Sequence, residues 1–249
     1  MRRRSELREL LGRFLEFSLA TPDIRASLDF YCKLGFSPAD VGEAWPHPYA
    51  VLTDGRICLG LHQKAIPAPS MTFVKPGLLK HLGTLEELGM SFEFRHLGDD
   101  VFNEVGWLDP SGQLVRLIEA RTFSPSKRLA TDTSQCGYFL EIAMPAPSPD
   151  AAKAYWERLG FVGIDETGDR LPHVSCTSDY IDLGLYDPAH LRRSTLRFEV
   201  DDVGGTLARL AEIGISPTGE IPSPLRQVPA AVLVAPEGTP ILLTSSAQI

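Results

Sequence analysis

The sequence lacks the features that place a protein in or across a membrane. No run reaches the roughly 18 consecutive apolar residues that a membrane-spanning helix needs. No apolar stretch of secretory length follows Arg2, Arg3 and Arg4, and the nearby acidic residues Glu6 and Glu9 are untypical of an organelle transit peptide. The four cysteines form no CxxC pair and no zinc-ligand spacing, which is typical of proteins in a reducing compartment. We therefore expect a cytoplasmic protein with no membrane partner.

The sequence also lacks a basic stripe. Acidic and basic residues are interspersed, and the formal net charge is −8 at pH 7. A surface that binds nucleic acid needs clustered Lys and Arg, so we expect no nucleic-acid partner. The hydrophobic content of 43% is ample for one large domain or for two of ordinary size.

The chain contains a long internal repeat. FYCKLGF at 30–36 returns as YWERLGF at 155–161. Further matches follow in the same order at a shift of 124 to 127 residues, which indicates a tandem duplication. They pair FLEFSLATPD (14–23) with FLEIAMPAPSPD (139–150), Pro46-His47 with Pro172-His173, ICLGL (57–61) with IDLGL (181–185), LEELGM (85–90) with LAEIGI (210–215), and DPSG (109–112) with APEG (235–238).

The repeat predicts the domain organisation. The stretch 121–135 is polar and aperiodic, which is typical of a linker. We therefore predict an N-terminal extension at 1–13, a first domain at 14–120, a linker at 121–137 and a second domain at 138–245. Each half repeats once more, because LGF and LGM in the first half, like LGF and IGI in the second, close helical patterns. The chain then contains four units of about 50 residues.

The periodicity of the first unit predicts its elements. A strand at 15–21 precedes a helix that Asp23 caps and Gly35 ends. Three strands follow at 37–43, 48–53 and 56–62, and Asp54-Gly55 indicates a hairpin between the last two. The other units follow this βαβββ pattern, with Ser148 capping the helix of the third and a loop at 216–224 in the fourth. The fold class is therefore α+β.

Three of these motifs together resemble a known family. They are the strand–Asp–helix phrase that ends in FYCKLGF or YWERLGF, LRFEVDDV at 196–203, and LDPSGQLVRLIE at 108–119. The chain resembles the vicinal oxygen chelate superfamily, which includes glyoxalase I, bleomycin-resistance proteins and extradiol dioxygenases. The resemblance implies that two units form one cupped sheet around a small-molecule cavity. Four units then form two glyoxalase-like cupped-sheet domains in tandem.

The resemblance also implies where a metal would be held. Family enzymes generally bind a divalent cation inside the cup, where it acts as a Lewis acid. Arg116 stands at one matching position of the first domain, and its guanidinium would repel a cation; Leu242 stands there in the second and cannot coordinate one. We therefore predict no cofactor, while Glu141 and Asp182 leave open a weakly bound divalent metal. The matching positions are Glu16, Cys58, Ser70 and Arg116 in the first domain, and Glu141, Asp182, Thr195 and Leu242 in the second.

Strand alternation sorts the side chains that face each cup. We predict that Glu16 and Arg116 form a salt bridge in the first cup, since both would otherwise be buried charges. Trp107 is a packing residue or stacks on an aromatic ligand. The candidate catalytic residues are Glu16, Arg116 and Glu141, and the candidate ligand-binding residues are Ser18, His62, Trp107, Asp182, Tyr186 and Arg197.

The sequence leaves three functions open. The first is a protein that binds a small organic molecule in a cup with a degenerate metal site, with or without metal-independent acid–base chemistry. The second is a metal-dependent lyase or dioxygenase working from Glu141 and Asp182. The third is an interaction protein whose cups are filled by their own side chains. The sequence does not identify the ligand, the functional cup or whether the protein is an enzyme, and it leaves a homodimer open.

Overall fold

The computed structural model describes residues 10–39, 47–99, 103–119, 134–166 and 169–245. These residues form two mixed β-sheets of eight and seven strands with a few helices, which confirms the α+β prediction. The order of the first sheet is β2-β3-β4-β1-β5-β8-β7-β6, and that of the second is β10-β11-β12-β9-β13-β15-β14. The two orders match strand for strand, apart from the missing edge strand, as a tandem duplication requires.

The strand bounds are as follows. The first sheet comprises β1 (Arg13–Ala20), β2 (Ser37–Ala39), β3 (Tyr49–Thr53), β4 (Cys58–His62), β5 (Ser70–Val74), β6 (Phe92–His96), β7 (Glu104–Leu108) and β8 (Leu114–Ile118). The second comprises β9 (Tyr138–Pro145), β10 (Val162–Glu166), β11 (His173–Thr177), β12 (Asp182–Tyr186), β13 (Thr195–Val200), β14 (Ala230–Val234) and β15 (Pro240–Ser245). The helices are α1 (Ile24–Lys33), α2 (Leu82–Glu87), α3 (Pro149–Arg158) and α4 (Val203–Glu212), with 3-10 turns at Leu78–His81 and Ser223–Leu225.

The first helix begins and ends as its sequence predicts. The Asp23 carboxylate accepts hydrogen bonds from the backbone N–H groups of Arg25, at 3.0 Å, and Ala26, at 3.1 Å. Gly35 ends the helix with a positive φ of 88°, a conformation that glycine adopts without steric cost. In α3 the prediction is wrong in one respect, because Ser148 occupies the N-cap position but its side chain makes no capping hydrogen bond.

The fourth unit departs from the predicted βαβββ pattern. Only two strands, β14 and β15, follow α4 in the described part of this unit. The segment at 216–222 forms no strand, as expected for a loop, and the N–H groups of Thr218 and Gly219 bind the carbonyl of Val232 on β14. Two prolines, Pro217 and Pro222, lie in this segment and cannot donate to a ladder, which disfavours a strand here. The second sheet therefore has one strand fewer than the first.

The two sheets share one hydrophobic core on the side away from their cups. The ring centroids of Phe36 and Phe198, one from each half, lie 6.4 Å apart. The Tyr31 hydroxyl donates to Glu237 of the other half at 2.6 Å, and Trp107 donates from its indole N–H to Tyr155. These contacts fix the two halves against each other. No helix in the described ranges is both long and apolar enough to span a bilayer.

The predicted linker at 121–137 and the predicted extension at 1–13 fall mainly outside the described residues. The same is true of the end of the strand predicted at 37–43 and of Pro46.

Candidate functional site

The first cup is the concave face of the first sheet that carries Glu16, Ser18, His62, Thr72 and Arg116. Its centre is the carboxylate of Glu16, which is completely buried. Ser18 donates to Glu16 Oε1 at 2.6 Å, His62 Nε2 lies 2.9 Å from the same oxygen, and Tyr49 donates to Oε2. Because Ser18 uses its only proton on Glu16, the Thr72 hydroxyl must donate to Ser18, from which it lies 2.7 Å.

A glycine on the neighbouring strand makes room for this carboxylate. Gly60 on β4 pairs with Ser18 on β1, and a Cβ at Gly60 would overlap the Glu16 carboxylate. The second half repeats the arrangement, since a Cβ at Gly184 would overlap the carboxylate of Glu141. The repeated phrases ICLGL and IDLGL therefore contain the glycine that each buried glutamate requires.

Hydrogen bonds lower the pKa of Glu16. Burial by itself raises the pKa of this carboxyl, because a charge is poorly solvated inside the protein. The hydrogen bond and charge of His62, followed by the hydrogen bonds from Ser18 and Tyr49, act in the opposite direction and bring the pKa below its ordinary value of 4.5. Glu16 is therefore an anion near neutral pH.

A histidine pair connects Glu16 to the rim of the cup. His62 Nδ1 lies 2.9 Å from His47 Nε2, so Glu16, His62 and His47 form one hydrogen-bonded line. His62 is buried and His47 is partly exposed. The other ring nitrogen of His47, Nδ1, is also buried. Burial, followed by the charges of His62, Lys64 and Arg116, lowers the pKa of His47 below its ordinary value of 6.5.

The predicted salt bridge between Glu16 and Arg116 is wrong. Arg116 Nε donates to Glu104 Oε1 at 2.8 Å, and a second guanidinium nitrogen contacts the same oxygen. Thr72 pairs with Glu16 on one side and with Arg116 on the other, so two strand spacings of about 4.8 Å separate the two residues. The adjacent strand β7 supplies a nearer carboxylate. The register also places Thr72, and not the expected Ser70, beside Glu16.

The second cup is the equivalent face of the second sheet, and its buried glutamate is Glu141. Tyr186 donates to Glu141 Oε1, and Arg197 Nη1 donates to Tyr186 at 2.5 Å and lies 3.4 Å from Glu141 Oε1. Arg197 Nη2 donates to Asp169 at 2.5 Å. Although burial disfavours the cation, Tyr186 and the two carboxylates raise the pKa of Arg197 above its ordinary value. The guanidinium is therefore a fixed counter-charge at the centre of this cup.

Apolar side chains fill the rest of the second cup. Leu242 is completely buried and packs in a cluster separate from the main core. This cluster has no counterpart in the first cup among the described residues. Its buried members are Ala143, Leu171, Tyr186, Leu191, Leu225, Val232 and Leu242.

The polar partners of the two glutamates are exchanged between the halves. Tyr49 pairs with His62 across β3 and β4, whereas His173 pairs with Tyr186 across β11 and β12. His173 Nε2 lies 3.6 Å from Glu141 Oε2, and its ring stacks on Tyr186 with centroids 4.5 Å apart. The structural counterpart of His173 is therefore Tyr49, and the sequence pairing of His47 with His173 is wrong by two residues.

Two further candidate ligand-binding residues have surroundings that differ from the prediction. Trp107 is completely buried in the main core, against Phe92 at 5.8 Å, so it cannot stack on a ligand in the cup. Asp182 is exposed and accepts a hydrogen bond from Thr177, whereas Glu141 is bound to Tyr186, Arg197 and His173. Asp182 lies on the strand beside Glu141, because the next residues, Leu183 and Ile142, pair with each other, but each carboxylate is hydrogen-bonded to a different side chain.

The donor sets of both cups fit a divalent metal poorly. Across neighbouring strands of the first cup, Glu16 pairs with Thr72, and Thr72 pairs with Arg116. In the second cup Glu141 pairs with Arg197, and Arg197 pairs with Leu242. A guanidinium repels a cation, and a leucine offers no donor atom. No group of three or more His, Cys, Asp or Glu side chains in the described part of the chain is arranged to hold a metal ion.

Comparison with known proteins agrees with this architecture. Residues 13–117 match the family model "Glyoxalase/Bleomycin resistance protein/Dioxygenase superfamily". The match covers most of the first half of the chain. The recognition made from the three sequence motifs is thereby confirmed. No curated protein sequence matches the chain.

Solved structures of dioxygenases align with nearly the whole chain. A catechol 2,3-dioxygenase is 16% identical, with a TM-score of 0.58 over 94% of this chain and 87% of that one. A homoprotocatechuate 2,3-dioxygenase from Arthrobacter globiformis is 16% identical, with a TM-score of 0.60 over 94% and 79%. An extradiol ring-cleaving dioxygenase from B. fuscum is 17% identical, with a TM-score of 0.59 over 93% and 70%. At these identities the likeness shows the fold alone.

Sequence reasoning missed several members of both networks. Tyr49 and Asp169 lie outside the motifs, and Glu104 precedes the third motif by four residues. The repeated Pro-His phrase pairs His173 with His47 instead of with Tyr49. The usable signal is the shift of 124 residues between ICLGL and IDLGL, which links Tyr49 to His173 as it links Gly60 to Gly184.

Proposed function

We propose that the first cup binds a small organic molecule and exchanges a proton with it, without a metal. The observation that carries this proposal is the hydrogen-bonded line from the buried anion Glu16 through His62 to the partly exposed His47. A buried carboxylate stabilises the positive charge that a histidine pair acquires when it accepts a proton. His47 is then the residue that contacts the ligand, and Glu16 and His62 are positioning residues.

The lowered pKa of His47 supports its role as a base. A histidine with a pKa below 6.5 is neutral at pH 7 and able to accept a proton. Apolar side chains around the charged groups offer contacts to an organic body, as ligand sites generally do. Those on the first-cup face include Val51, Val74, Leu114 and Ile118, which are buried yet belong to neither hydrophobic cluster.

The second cup has a structural role in this proposal. Its leucines occupy the space that a ligand would need, and Arg197 already neutralises Glu141. Glu16 and Glu141 are therefore a matched pair, because they occupy equivalent strand positions with different surroundings.

Proton exchange in deuterated buffer tests the proposal. Dihydroxyacetone and hydroxyacetone serve as probes, since both carry weakly acidic C–H groups beside a carbonyl, and NMR follows the loss of the C–H signals. We expect exchange with the wild type, at least a tenfold loss in His47→Gln and Glu16→Gln, and near-wild-type exchange in Glu141→Gln. Because a base must be neutral, the rate should rise with pH through a pKa below 6.5. Equal exchange in Glu16→Gln and Glu141→Gln, or none in the wild type, would contradict the proposal.

The likeness to extradiol dioxygenases favours a second candidate, a metal-dependent dioxygenase. This candidate rests on the fold, because the donor sets of both cups fit a cation poorly. Equilibrium dialysis against Fe²⁺ and Mn²⁺, followed by elemental analysis, separates the two candidates. Binding of about one metal per chain that Glu141→Gln abolishes would support the dioxygenase.

A further inference from the structure

A large cavity lies between the two halves of the chain, and no member of the two glutamate networks lines it. Its volume is about 570 Å³, within the range of roughly 300–1,000 Å³ that small-molecule sites occupy. Ligand sites occur preferentially at such boundaries between packed units. The size and the position of the cavity therefore suit a small organic ligand.

The walls of the cavity are mainly apolar and come from both halves. Leu108 is 46% exposed although it is a large hydrophobic residue, and it borders the cavity. An exposed leucine beside a cavity gains free energy when an apolar group covers it. The apolar lining also includes Pro67, Pro69 and Leu114 from the first half and Pro145 and Pro240 from the second.

One hydrogen bond between the halves and one within the first half hold a wall of the cavity in place. Gln113 is largely buried, accepts from the Ser194 hydroxyl at 2.6 Å and donates to the carbonyl of Pro69. This bridge joins the turn before β8 to the segment before β13. The cavity is therefore formed before any ligand arrives, which reduces the entropic cost of binding.

Two adjacent arginines supply positive charge at the cavity. Arg192 and Arg193 both line it and are both exposed. Neither side chain forms an ion pair or a hydrogen bond within the described part of the chain, where Arg95, Arg116, Arg197 and Arg226 all have carboxylate partners. Two unpaired cations next to each other are unexpected in a chain of net charge −8.

The acidic residue that lines the cavity already has hydrogen-bond partners within the protein. Glu237 also lines the wall, but its two oxygens accept hydrogen bonds from Tyr31 at 2.6 Å and Ser27 at 2.8 Å. Its carboxylate is thus held toward the first helix. The lining keeps an excess of one positive charge, contributed by Arg192 and Arg193 against Glu237.

We propose that this cavity binds an amphipathic organic carboxylate, with an alkyl or aryl body against the apolar walls and the anion on Arg192 and Arg193. Guanidinium groups bind carboxylates through paired charge-assisted hydrogen bonds. The apolar walls exclude water from the organic body, and the arginines select the anion over its neutral analogue. This site is separate from the first cup and does not depend on proton exchange there.

Calorimetric titration with octanoate and its neutral analogue octanamide tests the proposal. We expect saturable binding of octanoate to the wild type and at least tenfold weaker binding of octanamide. The double variant Arg192→Gln/Arg193→Gln should bind octanoate at least tenfold more weakly, while the control Arg25→Gln/Lys33→Gln, with the same change of charge on α1, should bind as the wild type does.

A second variant tests the apolar wall. Leu108→Trp places a larger ring at the exposed edge of the cavity and should weaken octanoate binding, with an unchanged circular dichroism spectrum as the folding control. The proposal is overturned if octanamide binds as well as octanoate, if the double arginine variant binds like the wild type, or if octanoate does not bind at all. Proton exchange by the first cup should persist in all of these variants.

Discussion

His62 and Tyr186 occupy equivalent positions in the two sheets, and each is hydrogen-bonded to the glutamate on the neighbouring first strand. The residue across the next strand is Tyr49 in the first sheet and His173 in the second, so each half retains one histidine and one tyrosine in exchanged places. The halves differ in the position of the arginine. Arg197 lies directly beside Glu141 and completes its network, whereas Arg116 lies one strand further from Glu16 and binds Glu104.

Gly60→Ala should destabilise the protein because its Cβ would overlap the Glu16 carboxylate. Overpacking a buried site costs typically about 1–3 kcal/mol, and we expect a loss of free energy of unfolding in that range. Gly83→Ala in α2 is the matched control, since a Cβ there meets no atom within 4 Å and alanine favours helix. Urea denaturation measures the free energy of unfolding of both variants. A Gly60→Ala variant as stable as the Gly83→Ala control would contradict the close approach of Glu16 to β4.

Arg197→Met should destabilise the fold more than Arg116→Met. Removing Arg197 leaves Glu141 and Asp169 without their shared cation, and breaking a buried ion pair costs typically about 3–5 kcal/mol. Glu104, the partner of Arg116, retains 12% side-chain exposure and its contact with His96, so its charge stays partly solvated. Chemical denaturation of both variants tests the order. The opposite order would show that the second-cup network contributes less to stability than its burial indicates.

The fold can be predicted from the sequence because the signals that specify strands and helices are periodic patterns of residues. Strand alternation, the caps at Asp23 and Gly35, and the repeated helix phrase each specify local geometry, and the duplication supplies every signal twice. The fourth unit is the exception, because the pattern predicts three strands after its helix and the structure has two, although the loop at 216–224 was expected. The cup-facing positions of Glu16, His62, Arg116 and Glu141 likewise follow from alternation alone.

The partners of these residues do not follow from alternation. Two carboxylates, Glu16 and Glu104, are candidate partners of Arg116. Only the strand register shows that Glu104 on β7 is the partner, because β5 separates Arg116 from Glu16 on β1. Trp107 has an aromatic ring of the kind that stacks on ligands, but its position on the strand directs the ring into the hydrophobic core that the two halves share. Tertiary neighbours decide both cases, and one sequence carries no signal for them.

Iodoacetamide at pH 8 should label the native protein at Cys32 first. Cys32 is exposed and Cys58 partly exposed, whereas Cys136 and Cys176 are buried. Burial raises the pKa of both buried thiols to about 12, so almost no thiolate is present to react. Mass spectrometry of tryptic peptides should find Cys136 and Cys176 labelled only after unfolding in urea. Early native labelling of Cys176 would show that β11 opens readily.

Acid should remove the contribution of Glu16 to stability. Its pKa is lower in the folded protein than the ordinary value of 4.5, since the donors from His62, Ser18 and Tyr49 outweigh the effect of burial. The contribution is therefore fully present above the unfolded pKa and is lost as the pH falls through the folded one. The difference in free energy of unfolding between the wild type and Glu16→Gln should shrink as the pH falls from about 6 to about 3. Tyr49→Phe removes one donor and should move this loss to higher pH. A difference that stays constant across the range would mean that folding does not shift the pKa of Glu16, and a difference that grows as the pH falls would mean that Glu16 is protonated in the folded protein. The second result would contradict the proposed role of its charge in the histidine line.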